Sequence, residues 1–411
     1  MIGSIRGIIV RPLDSEFVVR ITREHLAELT LAVGALLRIG TFLWGRPYWQ
    51  DEGSLLMNIH GVSVLDFSGP LQHDQLAPFG FLIIERALVS LLGDSRYVIR
   101  VFPLCCGLAS LWFFRALAFR CLSARPALLA IVFFAMSDDM VYYSSELKPY
   151  SLDVLFGLAI TLGAMRFLER SVQSRDLVVL WLVAVFAPWF SFPSALLVGG
   201  CGMVLIWNRA RRRQFRELAW LLGIAACWLG SFAAAYRASH ALLPPSTSMY
   251  VFWGFAFLPV PPHNPDELLR FASILLELFI NPLNLLAPFL PRLFVAVPIL
   301  VVAVGGASIH RRNALHSLTL TFPVLLALLA AALQKYPFHG RLILALVPAF
   351  SLVIAEGAEV VRRRFGKPAY ITLLVFLLSY PCATTLYHAT GARVRPFQAH
   401  GDLHNNRFDH C

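Results

Sequence analysis

The chain has 411 residues, of which 58% are hydrophobic and only 14% charged, with a formal net charge of +11. A soluble protein of this length carries about 25% charged residues, and apolar runs of about 17–25 residues, each long enough to cross a bilayer, recur throughout. A soluble globular fold is excluded, as is a β-barrel of short alternating segments. The positive charge sits in Arg clusters between apolar runs, a mark of membrane topology rather than of nucleic-acid binding.

In chain order, residues 1–26 read as a cytoplasmic N-terminal segment. Arg and acidic residues precede the first apolar run and no small-residue cleavage site follows, so the first span is expected to be retained. Candidate spans fall at about 27–44, 98–119, 125–142, 149–168, 177–190, 192–208, 217–236, 292–309, 316–334, 341–361 and 368–388. The expected fold class is therefore an all-α polytopic membrane protein of about eleven transmembrane helices. One transmembrane domain, 27–388, has outer loops at 45–97 and 237–291, and a disordered tail is expected over 389–411. The seven cysteines show no metal or disulfide spacing.

Ala77–Leu92 is apolar but short, with Glu85 and Arg86 at its middle. A central Asp, Lys or Arg costs about 2.5–3.5 kcal/mol, Glu is taken as similar, and Leu, Ile, Phe or Val each return about 0.3–0.6 kcal/mol. The nine such residues leave insertion unfavourable or near zero. Phe81, Ile84, Leu88 and Leu91 share one helical face, so an interfacial helix is expected. If it does not cross, the Arg-rich loops at 120–125, 166–175, 209–216, 311–312 and 362–367 all join the N-terminus on the cytoplasmic side. Asp51-Glu52, the loop around Glu146, and the segments 237–291 and 335–340 then face outward. Within 237–291, Asn264-Pro265-Asp266-Glu267 reads as a helix start, and Val251–Leu258 as a short apolar dip.

Asp51-Glu52 follows the first span directly. Two carboxylates at a membrane surface are costly to place and suited to accepting a proton from a hydroxyl; the bland alternative is a solvated acid pair. His73-Asp74 precedes the interfacial helix, where Asp74 could simply support its start. Tyr142-Tyr143-Ser144-Ser145-Glu146-Leu147-Lys148-Pro149-Tyr150 joins an outgoing span to a returning one, with Pro149 placed as first helical residue and the free N–H groups facing outward. Lys335-Tyr336-Pro337-Phe338-His339-Gly340-Arg341 repeats that architecture. Lysine occurs only at Lys148, Lys335 and Lys367. Lys148 and Arg341 beside two helix starts suit a phosphate, although cations at span ends also snorkel.

Together these residues resemble the GT-C glycosyltransferases, in particular the dolichyl-phosphate-mannose protein mannosyltransferase-like branch with its bacterial aminoarabinose transferases. Asp51-Glu52, His73-Asp74-Gln75-Leu76-Ala77-Pro78 and Arg100 resemble the family's first outer loop. Tyr143-Ser144-Ser145-Glu146-Leu147-Lys148-Pro149-Tyr150 resembles the second, with Lys148 where Arg is usual. Tyr336-Pro337-Phe338-His339-Gly340-Arg341 resembles the late Tyr-Pro-x-x-Gly-Arg signature. The likeness runs in order over about 27–360. His-Asp-Gln-Leu-Ala-Pro departs from the family's His-Pro-Pro-Leu, and the large outer insertion of the eukaryotic enzymes is missing.

The resemblance implies a GT-C bundle and an inverting transfer from a polyprenyl-phosphate sugar to a lipid, glycan or protein hydroxyl on the outer face of the plasma membrane. It casts Asp51 as base, with Glu52 orienting the acceptor. Lys148 and Arg341 hold the phosphate, while His73, Asp74, Arg100, Glu146, Tyr150, Lys335 and Tyr336 bind substrate. No cofactor is implied. Some members bind a divalent metal, which Asp51 with Glu146 could hold, but no metal is expected because no DxD-type motif stands near Glu146. The rival function is a transporter or flippase of lipid-linked sugars, favoured by Arg38 inside the first span.

Overall fold

The computed structural model describes residues 15–60, 62–63, 65–66, 69–169, 173–242, 248–287 and 289–389. The tail expected to be disordered falls outside the described residues except for Ala389, as does residues 1–14 of the N-terminal segment. Among the described residues every regular element is a helix. The first outer loop lies between α1 (Ser15–Leu43) and α4 (Val98–Cys121) and carries α2 (Gln50–Leu56) and α3 (Phe79–Leu92). Then come α5 (Ala124–Ala135), α6 (Asp138–Tyr142), α7 (Tyr150–Glu169), α8 (Ser174–Phe190), α9 (Ser194–Arg211) and α10 (Phe215–Ala241). The second outer loop holds α11 (Ser248–Phe252) and α12 (Pro265–Ile280), and α13 (Ala296–Arg312), α14 (Ala314–Ala332) and α15 (Val347–Ala389) complete the chain.

A helix lies over each of the eleven expected segments. Seven are long and apolar enough to cross a membrane by length and composition, or eight if α5 and α6, bent by 56°, count as one span. The final one, Gly340–His388, runs 49 residues; at about 1.5 Å per residue a straight helix of that length is more than twice the ~30 Å hydrocarbon core. Gly366, at φ 84 and ψ −176, breaks it next to the Arg362–Arg364 cluster, between the two segments expected to cross.

The bend between α5 and α6 explains the charge in the first span. Arg38 is buried and donates to Gly34 O at 2.9 Å and Ala135 O at 3.1 Å. Through Ala135 O it caps a carbonyl that the end of α5 leaves open. That structural task removes the observation that favoured a transporter.

Helix α3 has only 14 residues and is not among the helices long enough to cross. The face it turns to the protein includes its two charged residues. Phe81, Leu82, Glu85 and Arg86 are buried, while Leu91 is 80% exposed. Arg86 turns inward because the carbonyls of Asn58 and Asp66 satisfy its guanidinium. Glu85 is enclosed with neither oxygen hydrogen-bonded, and burial drives its pKa well above the carboxylate range, towards the neutral acid.

Two poles result. At one, Arg120 and His316 both meet Glu169, at 2.7 and 2.9 Å. Arg209 meets Glu217 at 2.7 Å and donates to Phe167 O, Arg312 meets Glu356 at 2.8 Å, and Arg125 meets Glu359 at 3.7 Å. These contacts tie all five Arg-rich loops together. At the other, Asp51, Glu52 and Glu146 meet Arg341, Arg100 and Arg46. There Leu71 N donates to Leu242 O at 2.9 Å, joining the two long outer loops. As its sequence requires, α12 starts at Asn264, whose side chain accepts Glu267 N at 2.8 Å with Pro265 in the first turn. The expected apolar dip over 251–258 is α11 followed by a tight 3-10 turn, Trp253–Ala256.

Candidate active site

The adjacent acids of α2 point to different places. Glu52 is fully buried. Arg100 grips it with two donors, Nε to Oε1 at 2.9 Å and Nη2 to Oε2 at 2.7 Å. Arg46 Nη1 stands 3.3 Å from Oε2, and the backbone amides of Leu147 and Trp49 donate at 3.0 and 3.3 Å. Burial would raise its pKa, but the Arg100 hydrogen bonds and the two guanidinium charges outweigh that and hold it below the usual carboxylate value. With its lone pairs taken, Glu52 fastens α2 to α4 and to the turn before α7.

Asp51 faces the open side, its side chain 26% exposed. Arg341 Nη2 lies 2.7 Å from its Oδ2, and Lys148 Nζ lies 4.0 Å from the same atom. Burial works to raise its pKa; the charges of Lys148 and Arg341 overcome it and lower it. Lys148 is buried, which lowers its own pKa, and Asp51 only partly restores it. Gln75 accepts Lys148 Nζ at 2.6 Å and also hydrogen-bonds Asp51. Thus residues 51, 75, 148 and 341, from four separate stretches, share one small site.

Local backbone explains the placement. Helix α7 starts at Tyr150, and Asp153 N donates to Pro149 O at 2.8 Å, so Pro149 stands just ahead of the helix. Lys148 is held by a tight turn in which its amide donates to Glu146 O at 2.7 Å. Arg341 follows Gly340, which adopts a left-handed φ of 46° beside the Asn281 side chain. It lies in a 3-10 turn, Gly340–Leu346, that leads into α15 rather than in α15 itself.

The other expected substrate residues divide. Tyr150 lies under Arg341, ring centroid to guanidinium 5.7 Å. Glu146 is buried, 3.5 Å from Arg46. Arg100 stands behind the site, since its donors are taken by Glu52 and by the carbonyls of Arg46 and Pro47. Tyr336 donates to Leu342 O at 2.8 Å and closes the turn that carries Arg341. His73 and Asp74 are exposed with left-handed φ of 58° and 51°; their turn swings Gln75 inward, and the N-cap of α3 is Pro78, not Asp74. Lys335 is exposed, and no ion pair joins it to the cluster among the described residues.

Three residues at the site were not among the expected site residues. Gln75 lies in the altered His-Asp-Gln-Leu-Ala-Pro stretch, one position from the acid that drew attention. Arg46, just before the acid pair, bridges Glu52, Glu146 and Tyr142. Trp253 looked like part of an apolar dip, yet its ring lies 5.8 Å from the Arg341 guanidinium. For a metal, the donor set is poor. Among the described residues no group of three or more His, Cys, Asp or Glu side chains gathers, and Asp51 and Glu146 already face Arg341, Lys148 and Arg46.

Residues 76–236 match the family model described as dolichyl-phosphate-mannose-protein mannosyltransferase. The solved oligosaccharyltransferase AglB of Archaeoglobus fulgidus, in complex with an inhibitory peptide and a dolichol-phosphate, is similar at TM-score 0.52 and 9% identity over 91% of this chain and 56% of that one. The Archaeoglobus fulgidus oligosaccharyltransferase in complex with Zn and sulfate gives 0.50 and 10% over 88% and 53%. The chain shares the fold of these two solved structures. It spans about half the length of these solved structures. No curated protein matches the sequence. The segment matched by the family model supplies Lys148 and Tyr150, while Asp51 and Arg341 come from either side of it.

Proposed function

We propose that the protein is an inverting glycosyltransferase that moves a sugar from a polyprenyl phosphate to an acceptor hydroxyl on the non-cytosolic face of the plasma membrane. The convergence of Arg341 and Lys148 on Asp51 Oδ2 carries this reading. A guanidinium and an ammonium aimed at one oxygen suit a phosphate, and in the free protein the Asp51 carboxylate stands where that anion would be held.

Donor phosphate competes with Asp51 for Arg341 and Lys148. Those two charges are what depress the Asp51 pKa, so sharing them with phosphate makes Asp51 a stronger base when substrate is present. The acceptor oxygen attacks the anomeric carbon as its proton passes to Asp51. The bond from that carbon to the phosphate oxygen breaks, and polyprenyl phosphate leaves with the electron pair. A phosphate leaving group is a weak base, so no general acid is required. Glu52 and Arg100 hold α2 in place, and the acceptor is a lipid, glycan or protein hydroxyl. No step uses a metal.

Asp51→Asn is expected to lower transfer of labelled sugar from polyprenyl phosphate by about 10²–10⁴-fold, with protein level unchanged. Because the Asp51 pKa is depressed, kcat/KM of the wild type stays high down to the acid side of an ordinary carboxylate and falls only as pH drops through that lowered value. Transfer by Asp51→Asn at the wild-type rate rejects Asp51 as base.

A further inference from the structure

Two aromatic rings lie near the Arg341 guanidinium, and only one of them is fully buried. Tyr150, centroid 5.7 Å from the guanidinium, is buried. Trp253, at 5.8 Å, is half-buried and lies on the open side. Its neighbours Tyr250 and Phe252 are 53% and 57% exposed, as expected of an interfacial aromatic belt; Trp253 instead turns inward over the cation.

The turn that carries Trp253 is fastened from two sides. Arg270 of α12 donates to Gly254 O and Phe257 O, and Phe338 N donates to Ala256 O at 3.1 Å. The second bond ties this turn to the chain just before Arg341. Behind Trp253 stand Phe255 and His339, whose rings are 5.0 Å apart, with Trp253 6.3 Å from His339.

We propose that Trp253, backed by Phe255 and His339, is the platform for the sugar ring of the donor and the residue that sets sugar preference. This rests on the donor reading above. A phosphate on Arg341 fixes the sugar bonded to it one bond away. The buried Tyr150 closes one side and Asp51 must reach the anomeric carbon, which leaves the Trp253 side for the ring. A pyranose needs an aromatic face for its C–H side and polar groups for its hydroxyls. An isoprenoid needs only the first. Burial, then the Arg341 charge, pull the His339 pKa down to about 4, so at neutral pH it backs the platform as an uncharged imidazole.

The test uses the full chain in nanodiscs and measures binding of undecaprenyl phosphate alone and of undecaprenyl phosphate carrying a hexose, an N-acetylhexosamine, a pentose or an aminopentose. Wild type should prefer one sugar-bearing lipid. Trp253→Ala should bind that lipid about five- to tenfold more weakly, leave the bare phosphate within twofold, and lose the preference. Trp253→Phe should recover most of it. Bare-phosphate binding confirms that each variant is folded. Equal weakening of both lipids, or no weakening of either, overturns the platform while leaving the phosphate site standing. Binding of neither lipid by wild type rejects the donor reading and the platform with it.

Discussion

Successive residues on a helix project about 100° apart, so Asp51 and Glu52 cannot share a surface even though they are neighbours. Asp51 is 26% exposed beside Arg341, whereas Glu52 is fully enclosed by Arg100, Arg46 and two backbone amides. Removing the charge of Glu52 strands Arg100, itself buried, without its bidentate partner. Losing one member of a buried pair costs about 3–5 kcal/mol. Glu52→Gln should therefore show a melting temperature in detergent several degrees below wild type and weak transfer, whereas Asp51→Asn should melt close to wild type. A Glu52→Gln protein as stable as wild type would show that the Arg100 contact does not hold the site. In sequence the pair read as one catalytic unit. Its division was illegible because the partners lie 48 and 95 positions away, at Arg100 and Leu147.

At the scale of elements, the site depends on how closely α4 approaches the turn before α7. A Cβ placed on Gly107 of α4 would sit 2.6 Å from Ser144 Cβ, closer than packed atoms can be. That turn carries Lys148 and donates Leu147 N to Glu52. Gly107→Ala should push it outward, costing about 1–3 kcal/mol as overpacking does, and should raise KM for donor although residue 107 touches no substrate. Gly163→Ala, where a Cβ meets nothing within 4 Å, is the control and should leave KM unchanged. Equal KM for the two variants would separate α4 packing from the site. Elements whose cause is local were legible in the sequence. The α12 start is one, because Asn264 and Pro265 act within a single turn. The face of α3 was not, because Arg86 is satisfied by carbonyls of Asn58 and Asp66 from another part of the loop.

At the scale of the molecule, the Arg-rich loops and the acid-bearing loops form opposite poles. The proposed orientation, drawn from the positive-inside rule, puts Asp51, Lys148 and Arg341 on the non-cytosolic side. Cysteines introduced at Ser95 and Arg212, in a background freed of native cysteines, test this. Ser95 is exposed near the acidic pole and Arg212 at the basic one; Gly93 is avoided because its φ of 87° disfavours a side chain. An impermeant thiol reagent should label Ser95→Cys in intact cells and Arg212→Cys only after permeabilisation. The reverse pattern overturns the orientation.

Composition and spacing alone determined that this chain is a helical membrane protein, where its helices run, and which ends carry acids and which carry arginines. Those properties follow from transfer energies that each segment feels on its own. The tertiary structure decided which charges meet: that Arg341 and Lys148 close on Asp51, that Arg100 is spent on Glu52, and that Gln75 and Trp253 belong to the site. Ion pairing and ring stacking act over a few ångströms in space and leave no period in the sequence, so only the fold could select those partners.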